Sequence, residues 1–368
     1  MKITILSHNL SSNAAMRAHR LALAARQFAD VTVLGPVERR GLWPALPREP
    51  WIQTVPELRF PEFHRSFVHL VDAADGDVLI AAKPILSSYG VALVAAEKRR
   101  GIPVILDMDD LDIAFTPREQ WRKNPSMADL HRPASAVYTG LLTKAAPAAS
   151  AVTVACTSLQ KRFGGTLLPH GCVTRQFDPA AIDRDAARRE FAFAKPTVLF
   201  AGTPRHHKGL KPLAKAIRKL GRAQLAVPCR AEDLADPEWR AFEIIRLPMI
   251  PYTRFAQLLA AADVVAIPQL DTETGRHQMP MKVYDCMAMA KPIVASAVSD
   301  LPQVLENCAR IVPPGDPRAL RAEIKGLLKN PATARELGQR ARARCLAEFS
   351  IERVGQVLES VVKQVLRK

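Results

Sequence analysis

The 368-residue chain lacks any apolar run long enough to cross a bilayer. Its longer ones, Ala260 to Pro268 and Val198 to Ala201, stop well short of the ~20 residues that a spanning helix needs. The N-terminus also lacks a signal-peptide pattern, because Lys2-Ile3-Thr4-Ile5-Leu6 reads as a buried strand directly after Met1. The expectation is a cytoplasmic protein with no cleaved segment ahead of its fold. Cysteine is sparse and scattered: Cys156, Cys172, Cys229, Cys286, Cys308 and Cys345 have none of the close pairing of zinc or redox motifs, which leaves reduced structural thiols. Aromatic residues make up only 6%. No basic stretch is interleaved with the stacking rings that single strands require, so nucleic acid is not an expected partner.

Positive charge is abundant. The formal net charge is +16, of which +11 falls from residue 180 onward. Such a field attracts phosphates and anionic membrane surfaces. Part of the excess lies in Arg335, Arg340, Arg342 and Arg344, read as a solvated helical face in preference to a membrane patch.

Short apolar runs of strand character alternate with helical stretches in two series, the signature of repeated βαβ units around parallel sheets. The first series contains strands at Ile3–Ser7, Val31–Leu34, Val78–Ala81, Val104–Leu106 and Ala151–Ala155, with helices at Asn13–Phe28 and Ser88–Arg99. The second contains strands at Thr197–Ala201, Gln224–Val227, Ile244–Leu247, Val264–Ile267, Ile293–Ala295 and Ala309–Val312. Its helices are expected at Lys211–Leu220, Tyr252–Ala261 and Lys282–Met289. The charged stretch Asp178–Lys195 reads as a linker, and Pro36–Pro61 as an irregular surface segment. Residues 351–366 carry apolar positions at helical spacing and need a surface to pack on. The expected domains are 1–177 with 351–368, and 178–350, at roughly 150 residues per domain.

Ligands of parallel α/β sheets sit beyond the carboxyl ends of strands. After the strand ending at Ala201, the loop Gly202-Thr203-Pro204-Arg205-His206-His207-Lys208-Gly209 puts two cations, Arg205 and Lys208, at a helix N-terminus, where the dipole disfavours them unless an anion binds. A second loop, Gly275-Arg276-His277-Gln278-Met279-Pro280-Met281-Lys282, leads into a helix carrying Asp285. That carboxylate suits either a pair of ribose hydroxyls or an ion pair with Lys282. In the first half, Leu106-Asp107-Met108-Asp109-Asp110-Leu111-Asp112 ends a strand with clustered carboxylates. Asn13, in the glycine-free loop Ser7–Asn13, is a helix cap or a ligand contact.

Gly202 to Gly209 and Pro280 to Pro292 together resemble the retaining GT-B glycosyltransferases of family 4. Smaller echoes occur at Ala262–Pro268, at Leu168–Val173 and at Phe177–Pro179. The resemblance implies an α/β fold of two facing Rossmann-like domains with a cleft between them, a nucleotide-sugar donor on the second and an acceptor on the first. By it, Lys208 matches the lysine that neutralises the diphosphate, and Asp285 matches the ribose-holding glutamate, one methylene shorter. His277 stands where the family has another glutamate. Thr203 stands where it has an arginine, for which Arg205 two residues on is the substitute. Asp109 takes the place of a histidine beside the reacting sugar.

The expected catalytic residues are therefore Lys208, Arg205 and Asp109. The expected donor-binding residues are Gly202, Thr203, Lys208, His277, Gln278, Met279, Pro280, Met281, Lys282, Asp285 and Asn13. Oxygen clusters such as Asp107 to Asp112 also suit magnesium. However, the resemblance implies no metal and no cofactor beyond an NDP-sugar co-substrate, a UDP- or GDP-sugar. The expected activity is transfer of a sugar to an acceptor hydroxyl with retention. The acceptor is a lipid-linked or envelope glycan at the inner membrane face, with an anionic membrane surface as partner. The alternatives are an epimerase or hydrolase of sugar nucleotides, or a non-catalytic protein that binds them.

Overall fold

Apolar segments of four to eight residues, too short to bury a helical stripe, pair into two fully parallel sheets in the computed structural model, which describes residues 1–57, 63–99, 101–116 and 130–367. The chain divides into one unit of Met1–His170 with Ile351–Lys368 and a second of Gly171–Ser350.

Unit 1 holds β1 (Lys2–Ser7), β2 (Asp30–Val37), β3 (Ile52–Pro56), β4 (Val78–Ala82), β5 (Val104–Met108), β6 (Ala151–Val154) and β7 (Thr166–Leu167), in the order β3-β2-β1-β4-β5-β6-β7. Its helices include α1 (Ala15–Ala25), α2 (Phe63–Ala73), α3 (Val91–Lys98), α4 (Ala136–Lys144) and α5 (Thr157–Phe163). Every residue of β4 and β5 is buried, as expected of central parallel strands covered on both faces. The register aligns Ser7 with Ala82 and Ala82 with Asp107, so the residues that follow β1, β4 and β5 emerge side by side.

Two expectations need correcting. Up to residue 56, the segment 36–61 is irregular only over 38–51: β2 continues through Val37, and β3 (Ile52–Pro56) pairs with it, with Trp51 and Val55 buried. Trp51 stacks on His19 at 5.3 Å; residues 58–61 lie outside the described residues. Asn13 does not cap α1. Ala14 occupies the cap position without a side-chain bond, while Ser12 Oγ accepts from the Ala14 amide at 3.4 Å.

Unit 2 holds β8 (Thr197–Phe200), β9 (Gln224–Pro228), β10 (Ile244–Leu247), β11 (Val264–Ile267), β12 (Ile293–Ser296) and β13 (Arg310–Val312), in the order β10-β9-β8-β11-β12-β13. Its longer helices are α6 (Arg184–Glu190), α7 (Leu210–Leu220), α8 (Phe255–Ala261), α9 (Lys282–Ala288), α10 (Pro317–Lys329) and α11 (Pro331–Glu348). Leu213 and Ile217 of α7 and Leu320 and Ile324 of α10 share one core with Val198, Val264 and Val294 of the sheet.

The stretch 178–195 folds onto unit 2 rather than serving as a free linker. Asp183 caps α6, and Arg184 and Arg188 both pair with Asp263 at 2.5 and 2.8 Å. Residues 171–177 also join unit 2. The Cys172 amide donates to Phe349 O at 2.8 Å, and Phe177 packs on Tyr252 with ring centroids 5.2 Å apart.

The final helix, α12 (Ile351–Leu366), returns to unit 1 and packs along α1. Its buried stripe includes Ile351, Val354, Leu358, Val361, Val362 and Val365, each contributing roughly 1.5–3 kcal/mol when fully covered. Gly355 allows the close approach, since a Cβ there would lie 2.9 Å from Ala24 O.

Candidate active site

In unit 2, β8 feeds a loop that closes as a single 3-10 turn, His206–Lys208, before α7. The turn is possible because Gly209 adopts φ 70°, the left-handed region that favours glycine. A Cβ at Gly209 would fall 1.8 Å from Pro268 O, so this loop lies directly against the end of β11. The Leu270 amide completes the junction by donating to His207 O at 2.8 Å.

The junction gathers polar side chains around Lys208. Its ammonium donates to Gln269 Oε1 at 3.3 Å and to Gln278 Oε1. His207 Nε2 lies 3.1 Å from the same Gln278 oxygen. Gln269 is wholly buried and spends its own amide protons on Gly275 O (2.7 Å) and Gln278 O (2.9 Å). Gln269 Oε1 and Gln278 Oε1 are neutral amide oxygens, which orient the Lys208 ammonium. Arg205, the other expected cation of the loop, is exposed at the residue before the turn. Gly202 and Thr203 precede it, half-buried.

The second loop runs through a one-turn helix, Glu273–Arg276, whose C-cap is His277. Met279 and Pro280 are buried, whereas Met281 and Lys282 are half-buried at the start of α9. The Lys282 ammonium sits 4.7 Å from the Phe255 ring centroid, and burial lowers its pKa against the pull of Asp285. Asp285 itself is fully buried, and Tyr252 Oη donates to its Oδ1 at 3.0 Å. The structure therefore brings Lys208 and Gln278 together and sets Asp285 beside a tyrosine. His207, Gln269 and Tyr252 were absent from the sequence expectation. Gln269 had a legible signal, being a polar residue immediately beyond the buried strand Val264–Ile267.

In unit 1 the clustered carboxylates split into two sets. Asp107 faces into the sheet and takes a bidentate ion pair from buried Arg17 (2.8 and 2.7 Å) together with the Thr153 hydroxyl at 2.7 Å. Arg17 is further held by Leu168 O and Pro169 O at 3.0 and 3.1 Å. Asp109, Asp110 and Asp112 instead converge on the ammonium of Lys83, at 2.6, 2.9 and 3.0 Å. A side-chain cation thus sits among three of the carboxylates of the Asp107–Asp112 cluster. Lys83 follows β4 with φ 82°, an unusual conformation for a residue with a side chain.

Electrostatics follow from this packing. Burial favours neutral Lys83, but the three carboxylates outweigh it and hold the pKa well above the ordinary lysine value. Burial raises Asp109 to about 6 and Asp112 to about 7, with Lys83 opposing both shifts. His8, which follows β1, is pushed down to about 3 by desolvation and by Lys83, and is therefore neutral at pH 7. Asn13 is exposed just ahead of α1.

Residues 195–330 match the family described as "Glycosyl transferases group 1". MMP alpha-(1->4)-mannosyltransferase of Mycolicibacterium hassiacum is 34% identical over 116 residues, 31% of this chain and 27% of that protein. Alpha-maltose-1-phosphate synthase of Mycolicibacterium smegmatis is 26% identical over 203 residues, 53% of this chain and 46% of that protein. The chain thus spans less than half the length of these curated relatives.

Among solved structures, Anabaena HepE with UDP and glucose superposes at TM-score 0.76 with 15% identity, covering 99% of both chains. Sucrose-phosphate synthase from Thermosynechococcus elongatus superposes at 0.73 with 17% identity, covering 100% of this chain and 99% of that one. At such identities the likeness fixes the fold, the GT-B arrangement of two Rossmann-like α/β domains.

Proposed function

Because residues 195–330 carry a glycosyl transferases group 1 domain within a GT-B fold, we propose that this protein transfers a glycosyl group from a nucleoside-diphosphate sugar to an acceptor hydroxyl, with retention of configuration. The observation that carries the reading is Lys208. Its ammonium is fixed by two glutamine oxygens at the carboxyl end of β8, one residue before the amide-rich N-terminus of α7. A diphosphate there meets a positioned cation beside the first-turn amides of Leu210 and Lys211. HepE, of the same fold, was solved with UDP-glucose, which favours a UDP-sugar here.

In the reaction the bond from the anomeric carbon to the diphosphate breaks and a bond to the acceptor oxygen forms. The acceptor proton passes to a diphosphate oxygen. Catalysis then rests on stabilising the departing charge, the work of Lys208 and Arg205. Asp285, oriented by Tyr252, holds the ribose. Gly202, Thr203, His277, Gln278, Met279, Pro280, Met281 and Lys282 form the remainder of the donor loops. In unit 1, Asp109 with its Lys83 counter-ion positions the acceptor or the transferred sugar, and Asn13 lies on the same strand-end side of the sheet. The acceptor is a lipid-linked or envelope glycan at an anionic membrane surface.

The test is Lys208→Ala assayed by product formation with a sugar nucleotide that the parent turns over. The expected loss is on the order of 10²–10³ in turnover, the scale of removing one donor to a developing anion. Near-parental turnover by the folded variant would contradict the placement.

A further inference from the structure

The positive charge of unit 2 is concentrated on one pair of helices. α7 and α10 pack against each other over the sheet, with Leu213, Ile217, Leu320 and Ile324 turned inward. Their two sequences carry eight Lys and Arg and a single carboxylate, Glu323, which pairs with Arg310. Lys215, Arg218 and Lys219 on α7, and Lys325 and Lys329 on α10, are exposed, with Arg321 half-exposed among them. Among the described residues none of these six is in an ion pair.

The arginine cluster singled out by sequence, Arg335 to Arg344, behaves differently. Arg340 pairs with Glu336, Arg344 with Glu348 and Arg342 with Asp178, so most of that charge is spent within the protein.

We propose that the outer face of α7 and α10 docks on an anionic lipid bilayer. The proposal deepens the membrane part of the functional reading and rests on it. Two parallel-packed helices of 11 and 13 residues, roughly 17 and 20 Å long, spread the charge over a broad face. That shape suits a surface of many headgroups better than a single phosphate. Neither helix carries an aromatic residue, so the face offers no platform for stacked bases. No exposed large apolar side chain lies on either helix, so contact is electrostatic and headgroup-deep, without insertion.

The experiment measures co-sedimentation of the whole chain with vesicles of phosphatidylglycerol and phosphatidylcholine at low and high salt. The variants are Lys215→Gln/Lys219→Gln, Lys325→Gln/Lys329→Gln and their combination. Lys161→Gln/Arg162→Gln in unit 1 serves as a control that removes two charges elsewhere. Binding at low salt is expected to fall roughly fivefold per charge removed, hence several hundredfold in the combined variant, while the control changes little. High salt should release the parent.

Unaltered vesicle binding by both double variants, equal loss in the control, or no binding by the parent at low salt would overturn the assignment. So would binding to a DNA duplex without binding to vesicles, which would assign the face to nucleic acid. Nucleotide-induced thermal shifts in the same variants separate this proposal from the donor-site reading, because none of the substituted residues touches the Lys208 junction.

Discussion

Replacing Lys83 with methionine tests whether unit 1 is organised around a buried counter-ion. The ammonium lies within 3.0 Å of three carboxylates, and all four side chains are at least four-fifths buried. Removing one partner of a buried ion pair costs ~3–5 kcal/mol, because the remaining charge is stranded. Here that cost depends on pH. Asp109 and Asp112 already titrate at about 6 and about 7 in the folded protein, above the ordinary carboxylate value. Groups raised in this way favour the folded state fully below their unfolded pKa and lose that contribution as pH rises through the folded value.

Without Lys83, which opposes both shifts, the two pKa values move higher. The slope then approaches ~1.4 kcal/mol per pH unit for each carboxylate across the window. The gap between parent and Lys83→Met should therefore be small at pH 5, where protons replace the lysine, and reach its full ~3–5 kcal/mol at pH 8. Urea unfolding followed by tryptophan fluorescence reports on this unit through Trp43 and Trp51, whereas among the described residues the other unit holds Trp239 alone. A gap that is constant with pH, or larger at pH 5, would refute the counter-ion argument.

Other perturbations act on single links of the same chain of reasoning. Asp112→Asn removes the carboxylate that titrates at about 7, so the stability profile between pH 5 and 8 should flatten relative to the parent in the same urea experiment. Gly209→Ala combines φ 70° with a Cβ 1.8 Å from Pro268 O. It should destabilise unit 2 by more than ~1 kcal/mol and weaken nucleotide binding, read by calorimetric melting with and without ligand. Tyr252→Phe removes the hydroxyl that donates to buried Asp285. A bond to a charged group is worth ~1.5–3 kcal/mol. Titration calorimetry should show nucleotide-sugar affinity lower by roughly tenfold or more, with kcat nearly unchanged.

Much of the architecture was legible because parallel strands, buried on both faces, write themselves as uninterrupted apolar runs. Ile244–Leu247 and Val264–Ile267 fall where the sequence puts them, and Val78–Ala81 needs one more residue. The helix 351–366 was equally plain from its stripe, although its packing partner, α1, was not, because contacts over 300 residues apart leave no local pattern. What failed was the edge. β3 was hidden in proline-rich text, where its pairing depends on Trp51 being covered from above by His19. The stretch 178–195 read as a linker because charge suggests solvent, whereas Arg184 and Arg188 are committed to Asp263.

At the candidate site, the sequence singled out Lys208 as a cation placed against a helix dipole. Lys83 was not singled out: a lone lysine after a strand carries no mark until the fold sets three aspartates around it. Tyr252 was likewise invisible, since its role depends on a 33-residue separation from Asp285.

The most direct measurement is a thermal-shift panel of UDP, GDP, ADP, CMP and their sugars against the parent and Lys208→Ala, because a ligand that binds only the folded state raises its melting temperature by mass action. The account predicts a clear shift with one nucleoside-diphosphate series in the parent and its loss in the variant. No shift with any nucleotide, or an equal shift in both proteins, would contradict the claim that Lys208 holds the donor diphosphate.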